Sequence, residues 1–220
     1  MYKRLNSWLA SLVITACVAV QLVACSSGGR GNDGGFAAAE DGTLELSGSV
    51  GGGPLVGAAI TVSSSSGTQV GSVVSKKDAS YRTNIRAESR DYPLLLSVND
   101  GFDLVTGSAP DFTMYSVVMN RQQQSANINP FSTLIIKIAR LMPGGINESN
   151  INTAMRYVTE RLGFGLNQKA INDPVTTRIT DANAANLIKA SVALGEVMRR
   201  TRGKADPAAV HELLVARLGE

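Results

Sequence analysis

Cysteine is scarce in this chain: Cys17 and Cys25 are the only two, and both fall in the apolar N-terminal stretch. Everything beyond Cys25 therefore forms no disulfide and offers no thiolate to a metal. Histidine occurs once, as His211. A metal site built on imidazoles needs more than one, and a Ser-His-Asp triad would have to recruit His211 without any Gly-x-Ser-x-Gly elbow to present the serine. Aromatic residues make up 5% of the chain, so aliphatic side chains must build the core. Net charge is also small. The formal +3 comes from 21 Lys and Arg against 18 Asp and Glu. Setting aside Lys3 and Arg4, which lie in the N-terminal leader, leaves 19 against 18, or +1. Such a balance gives no electrostatic footprint for nucleic acid.

The remaining charged groupings read as structure. Arg199, Arg200, Arg202 and Lys204 cluster where a helix should end, and cations are favourable there. Asp100, Asp103 and Asp111 match no calcium-loop spacing and read as turn residues. The Ser63 to Ser66 run reads as a solvated turn, and Gly163-Phe164-Gly165 lacks the third glycine of a nucleotide loop. The expectation is a protein without cofactor, metal site or catalytic residues.

What the sequence does have begins at the N-terminus. Lys3 and Arg4 precede an apolar run from Trp8 to Val20, the charged and hydrophobic regions of an export signal. The run is shorter than the ~20 residues of a membrane-spanning helix. It ends at Leu22-Val23-Ala24-Cys25, which resembles the lipobox of bacterial lipoproteins, Leu-x-[Ala/Gly/Ser]-Cys. The resemblance implies a diacylglyceryl group on the Cys25 sulfur, cleavage just before it, and a palmitate-type acyl chain on the new amine. One acyl chain holds a protein to a bilayer marginally, whereas two or three hold it firmly. Ser26 in the next position is permissive for transport to the outer membrane in such lipoproteins.

Residues 25 to 42 are Gly-rich, polar and without periodicity, which reads as a flexible tether. From Thr43 the pattern becomes alternating. Leu44, Leu46 and Val50 share one face against Glu45, Ser47 and Ser49. Further strands are expected at Ala58 to Val62, Val70 to Val74, Tyr81 to Ile85, Leu94 to Val98, Leu104 to Thr106 and Phe112 to Met119. Asn99-Asp100-Gly101 marks a hairpin turn. About seven short strands at this spacing predict an antiparallel β-sandwich over residues 43 to 120.

Within it, Gly48-Ser49-Val50, then Gly53-Pro54-Leu55-Val56-Gly57-Ala58, then Ile60-Thr61-Val62 resembles the opening of carboxypeptidase regulatory-like domains. These are transthyretin-like sandwiches related to the B-type repeats of surface adhesins. Their later "D-x-x-G-x-Tyr" turn is matched only in shortened form by Asp78-Ala79-Ser80-Tyr81. The resemblance implies a fold, and such domains serve as spacers, stalks and accessory modules.

Residues 126 to 220 switch to helical spacing. Asn129-Pro130 is a cap followed by proline at the first helical position, with Phe131, Leu134, Ile135 and Ile138 behind it. Pro143-Gly144-Gly145 ends that helix. Ile151, Ala154, Met155, Val158 and Leu162 predict a second helix, and a third is expected from about Asp181 to Arg202. A fourth is expected to start at Asp206-Pro207 and carry Val210, Leu213, Leu214 and Leu218. The stretch Ala126-Asn127-Ile128-Asn129-Pro130-Phe131-Ser132-Thr133-Leu134 is similar to an "N-[IV]-[ST]-P-[LF]-[ST]-T-L" segment that follows regulatory-like sandwiches in bacterial surface lipoproteins. Asn129 replaces the usual Ser or Thr and caps equally well.

The expectation is an α+β protein: a lipid-anchored envelope module, placed at the outer membrane, that binds a partner or acts as a scaffold. The alternatives are an accessory subunit of an envelope enzyme or transporter, an enzyme in its own right that works as a hydrolase with carboxylates alone, and a shortened relative of a surface adhesin.

Overall fold

The structure, a computed structural model, describes residues 42–162 and 165–201. The lipobox residues Leu22, Val23, Ala24 and Cys25, the expected fourth helix and His211 all lie outside the described residues.

The described chain is mixed α+β, with eight strands and three α-helices. The strands are β1 (Thr43–Ser49), β2 (Leu55–Val56), β3 (Ala59–Ser63), β4 (Gln69–Val74), β5 (Ser80–Arg86), β6 (Leu94–Val98), β7 (Phe102–Asp103) and β8 (Met114–Val118). The helices are α1 (Pro130–Leu141), α2 (Glu148–Arg161) and α3 (Asp181–Thr201). All strand pairings are antiparallel. They form a β1-β5 pair, a short β2-β7 pair and a four-stranded sheet in the order β4-β3-β6-β8.

The period-2 pattern decides which side chains meet. Leu44 and Leu46 of β1 and Tyr81 and Ile85 of β5 join Ile60, Val62, Leu94, Leu96 and Met114 of the four-stranded sheet in one buried apolar cluster. Strand β8 is apolar on both faces because both are covered. Met114 and Val118 point into this first cluster. Val117 points the other way, into a second cluster with Phe131, Ile135, Ile136, Ala154, Val158, Leu187 and Leu194 of the helices. Leu95 and Tyr115 also pack on that second cluster.

One expected strand is absent. Leu104 to Thr106 is a turn, and Leu104 and Val105 are exposed. The cause is Asp103, whose carboxylate accepts the backbone N–H groups of Val105 (2.8 Å) and Thr106 (3.2 Å). An Asp that captures the amides just ahead of it closes a turn and withdraws them from any ladder. The two-residue pairing of β2 with β7 takes its place.

A segment without regular strand status completes the β1 side. Ser125 to Ile128 runs parallel to β1, with Ala126 N–H on Ser47 O (2.9 Å), Ile128 N–H on Ser49 O (2.9 Å) and Gly51 N–H on Ile128 O (2.8 Å). It fits only because residue 48 is glycine. A Cβ there would stand 2.1 Å from the Ala126 carbonyl oxygen.

Candidate functional site

The sequence segment from Asn127 to Thr133 folds as a buried polar hub. Asn127, Asn129, Ser132 and Thr133 are each at most 1% exposed, so each of their polar groups needs a partner. Asn127 Oδ1 accepts from the Ser49 backbone N–H and hydroxyl, both at 3.1 Å, and its amide donates to Thr177 O at 2.8 Å. Asn129 Oδ1 accepts the Ser132 N–H at 2.9 Å, its own N–H donates back to Ser132 Oγ at 2.9 Å, and its amide donates to Pro174 O at 2.9 Å. The expected cap is thus a full capping box. Ser132 Oγ also donates to Tyr115 O at 2.6 Å. Thr133 Oγ1 accepts the Tyr115 N–H at 3.0 Å and donates to Asn129 O at 2.7 Å. The hub therefore joins β1, β8, α1 and the loop at residues 173 to 177. Both outward-facing backbone groups of Tyr115 on the edge of β8 are satisfied by side chains of α1, which closes that edge to further strand pairing.

Beside the hub is a cleft of about 260 Å³. Four pieces of chain build it. The turn after β1 brings Gly52 and Gly53, and the loop after β7 brings Asp103, Thr106, Pro110, Asp111 and Phe112. Helix α3 brings Ser191, Val192, Gly195, Glu196 and Arg199, and Pro130 at the start of α1 forms part of the floor. The spacing of Ser191, Gly195 and Arg199 puts them on one stripe of α3. The small residues on that stripe let the helix approach the rest: a Cβ on Gly195 would sit 3.5 Å from Pro130 Cγ. Gly53 is equally constrained, because a Cβ would meet the Asp103 carboxylate and Val105 Cγ2 at 2.5 Å each.

The charges in the cleft are all engaged. Asp103 accepts from Gly53 N–H (3.3 Å) as well as from Val105 and Thr106. Glu196 accepts two hydrogen bonds from Arg199, both at 2.8 Å, and another from Arg200. Those bonds, Arg199 first, hold its carboxyl down at about 2. Arg199 also lies 3.9 Å from Asp111 across the mouth. Ser191 differs: it is fully buried, and its hydroxyl has no hydrogen-bond partner among the described residues.

Of the aspartates read from sequence as turn residues, Asp103 holds a turn, while Asp100 and Asp111 reach other parts of the chain. Asp100 accepts the Ala59 N–H at 2.8 Å, Asp103 holds its own turn, and Asp111 faces Arg199. Among the described residues no group of three or more His, Cys, Asp or Glu is placed to hold a metal ion. Ser64 and Ser66 bond to each other and to Thr68 in a turn. Arg199 and Arg200 lie in the last turn of α3, as their sequence position implied, while Arg202 and Lys204 lie outside the described residues. No described helix is long and apolar enough to cross a membrane.

The cleft stands at the far end of β1 from the point where the chain enters. Gly42 precedes β1, and Gly52 and Gly53 follow it. Seven strand residues separate the two ends, roughly 23 Å at about 3.3 Å per residue. Phe102, Leu104 and Val105, each 50–55% exposed, flank Asp103. A wider hollow of about 650 Å³ lies at the Gly42 end, lined by Ala87, Tyr92, Met119 and Arg121.

No protein-family model matches the chain, and no curated protein or solved structure matches it either.

Proposed function

We propose that this chain is a bacterial cell-envelope lipoprotein, cleaved before Cys25 and acylated on it, that works as a non-catalytic binding or scaffold module. The observation that carries the reading is Leu22-Val23-Ala24-Cys25 at the end of a charged-then-apolar leader. The arrangement of the folded part supports it. A tether of residues 25 to 42 reaches roughly 5–6 Å times the square root of its length and joins the fold at Gly42. The cleft and the exposed Phe102, Leu104 and Val105 lie at the other end of β1 from Gly42.

On this reading, β1 and β5 stack on the four-stranded sheet as a transthyretin-like, carboxypeptidase regulatory-like sandwich over residues 43 to 120. Residues 126 to 220 form a helical domain built on its outer face through the Asn127–Thr133 hub. The shared apolar cluster between the β1-β5 pair and the larger sheet supports the sandwich. The outer membrane is the proposed location, with Ser26 permissive for it, and no nucleic acid is involved.

Metabolic labelling with palmitate tests the anchor. Label is expected in the wild-type chain and not in Cys25→Ser, and equal labelling of both would overturn the reading. Protease shaving of intact cells, with a periplasmic lipoprotein as control, then assigns the face. Loss of the chain points to a surface ligand, and protection until lysis points to a periplasmic partner.

A further inference from the structure

We infer that the open edge of β4 is an interaction surface that pairs antiparallel with β4 of a second copy of this chain. The sheet edges differ in how they are closed. The outer edge of β8 is taken by side chains of α1, through Tyr115. The outer edge of β1 is taken by residues 125–128. β5 pairs only with β1, but Arg82 and Arg86 put charge along it, which discourages further strand pairing. β4 has neither cover nor charge. Its six residues include no ionisable group and no proline, and Val74 is 58% exposed.

The register fixes which backbone groups face out. Ser75 N–H bonds Ala58 O, Val73 stands opposite Ile60, and Gly71 stands opposite Val62. Alternation then turns Gly71 and Val73 toward β3 and Ser72 and Val74 outward. The N–H and C=O groups of Ser72 and Val74 have no partner among the described residues. The irregularity at Val62/Ser63 lies toward Gln69 and leaves residues 71–74 regular. Such a row of groups is satisfied by another extended strand. Charge at the two ends of β4 selects a second copy, antiparallel. Lys76, Lys77 and Asp78 follow it, two cations against one anion. At the other end the turn before β4 is bonded through Ser65 N–H to Asp91 O at 2.7 Å, beside Glu88, Arg90 and Asp91, two anions against one cation. A two-fold pair brings each copy's lysines to the end where the partner is acidic, whereas a parallel pair sets lysine beside lysine. The two-fold arrangement also uses each edge once and so closes.

One strand pair buries less than the roughly 1,200 Å² of a stable interface, so the dimer is weak and covalent capture is the test. The full chain is purified in mild detergent with Cys17→Ser and Cys25→Ser, so that an introduced thiol stands alone. With the axis at Ser72, the two Ser72 Cα atoms lie about 5.5 Å apart, within disulfide reach. Ser72→Cys is therefore expected to give a disulfide-linked dimer under a glutathione redox buffer. Lys77→Cys, whose two copies would stand roughly 30 Å apart at about 3.3 Å per residue, is expected to stay monomeric. Adding Val74→Pro to Ser72→Cys removes an outward N–H and no bond to β3, and it should abolish the dimer. A circular dichroism melt checks that each variant is folded, and Val74→Lys, which puts charge on the edge, replaces Val74→Pro if that chain does not fold. A monomeric Ser72→Cys, equal dimer from Lys77→Cys, or undiminished dimer in the folded edge variant each overturns the inference. None of these outcomes depends on acylation of Cys25, so the strand pairing and the anchor fail separately.

Discussion

Ser132 Oγ donates to the Tyr115 carbonyl oxygen at 2.6 Å while accepting the Asn129 N–H at 2.9 Å. One buried hydroxyl thus ties the edge of β8 to the first turn of α1 and closes the capping box of the same helix. Ser132→Ala strands both partners, the Asn129 N–H in a buried site and the Tyr115 carbonyl in a part-buried one. An unsatisfied buried group costs about 1–3 kcal/mol, so the substitution is expected to lower stability by about 2–4 kcal/mol in urea unfolding. A change below 0.5 kcal/mol would show that the two backbone groups find other partners.

Ser116 lies on the same strand, is equally buried, and behaves oppositely. Its hydroxyl faces the first apolar cluster and has no hydrogen-bond partner among the described residues. Here the cost of desolvating the hydroxyl is already carried by the wild type. Ser116→Ala removes it, and the expected result is unchanged or higher stability, by up to about 1 kcal/mol. A loss of more than 1 kcal/mol on thermal unfolding would mean that the hydroxyl is satisfied after all. Buried serines at 116 and 132 therefore separate a packing defect from a structural fastener.

Gly48 gives the sharpest steric prediction. Its backbone conformation is an ordinary one, so the constraint is space. A Cβ would come within 2.1 Å of Ala126 O, 2.8 Å of Ala126 C and 2.9 Å of Tyr81 Cε1. The first two atoms are backbone and do not swing aside. Tyr81 is itself pinned, because its buried hydroxyl donates to that same Ala126 carbonyl, and burial pushes its pKa far upward. Gly48→Ala is expected to prise the 125–128 segment off β1 and cost at least about 3 kcal/mol, beyond the usual overpacking penalty. Amide exchange should show the Ala126 and Ile128 N–H groups losing protection first.

The longer strands were legible because alternation at Thr43–Ser49, Ser80–Arg86 and Leu94–Val98 is a local signal, and each is a strand in the structure. The helix starts were legible for the same reason: Asn129-Pro130 and its partner Ser132 sit three residues apart. The hub was not. The sequence marks Asn127 to Thr133 as a unit but says nothing of what it fastens, since Asn127 bonds Ser49 and Thr177 at separations of 78 and 50 residues. The turn at Leu104 to Thr106 was misread as a strand because two aliphatic residues and a threonine carry β-propensity. One carboxylate just before them overrides it. The cleft left no sequence signal at all. Gly52 and Gly53 follow β1, while Ser191 and Gly195 lie on α3, far away in the chain. Only the packing of α3 against Pro130 brings them together.

Glu196 links the cleft mouth to pH. Its carboxyl is lowered from 4.5 to about 2, chiefly by the hydrogen bonds from Arg199 and then Arg200. A folded pKa below the unfolded one means that the interaction is fully present above the unfolded value of about 4.5 and fades as pH falls toward about 2. The group is open to solvent, so salt screens it and its share of global stability is small. The effect is therefore best read at the residue itself. A carboxyl-detected NMR titration is expected to place the Glu196 midpoint well below that of an ordinary glutamate. Arg199→Gln should raise the midpoint more than Arg200→Gln does, and high salt should raise it in wild type. A Glu196 midpoint at the ordinary value, unaffected by Arg199→Gln, would remove the ion-pair network from the account of the cleft.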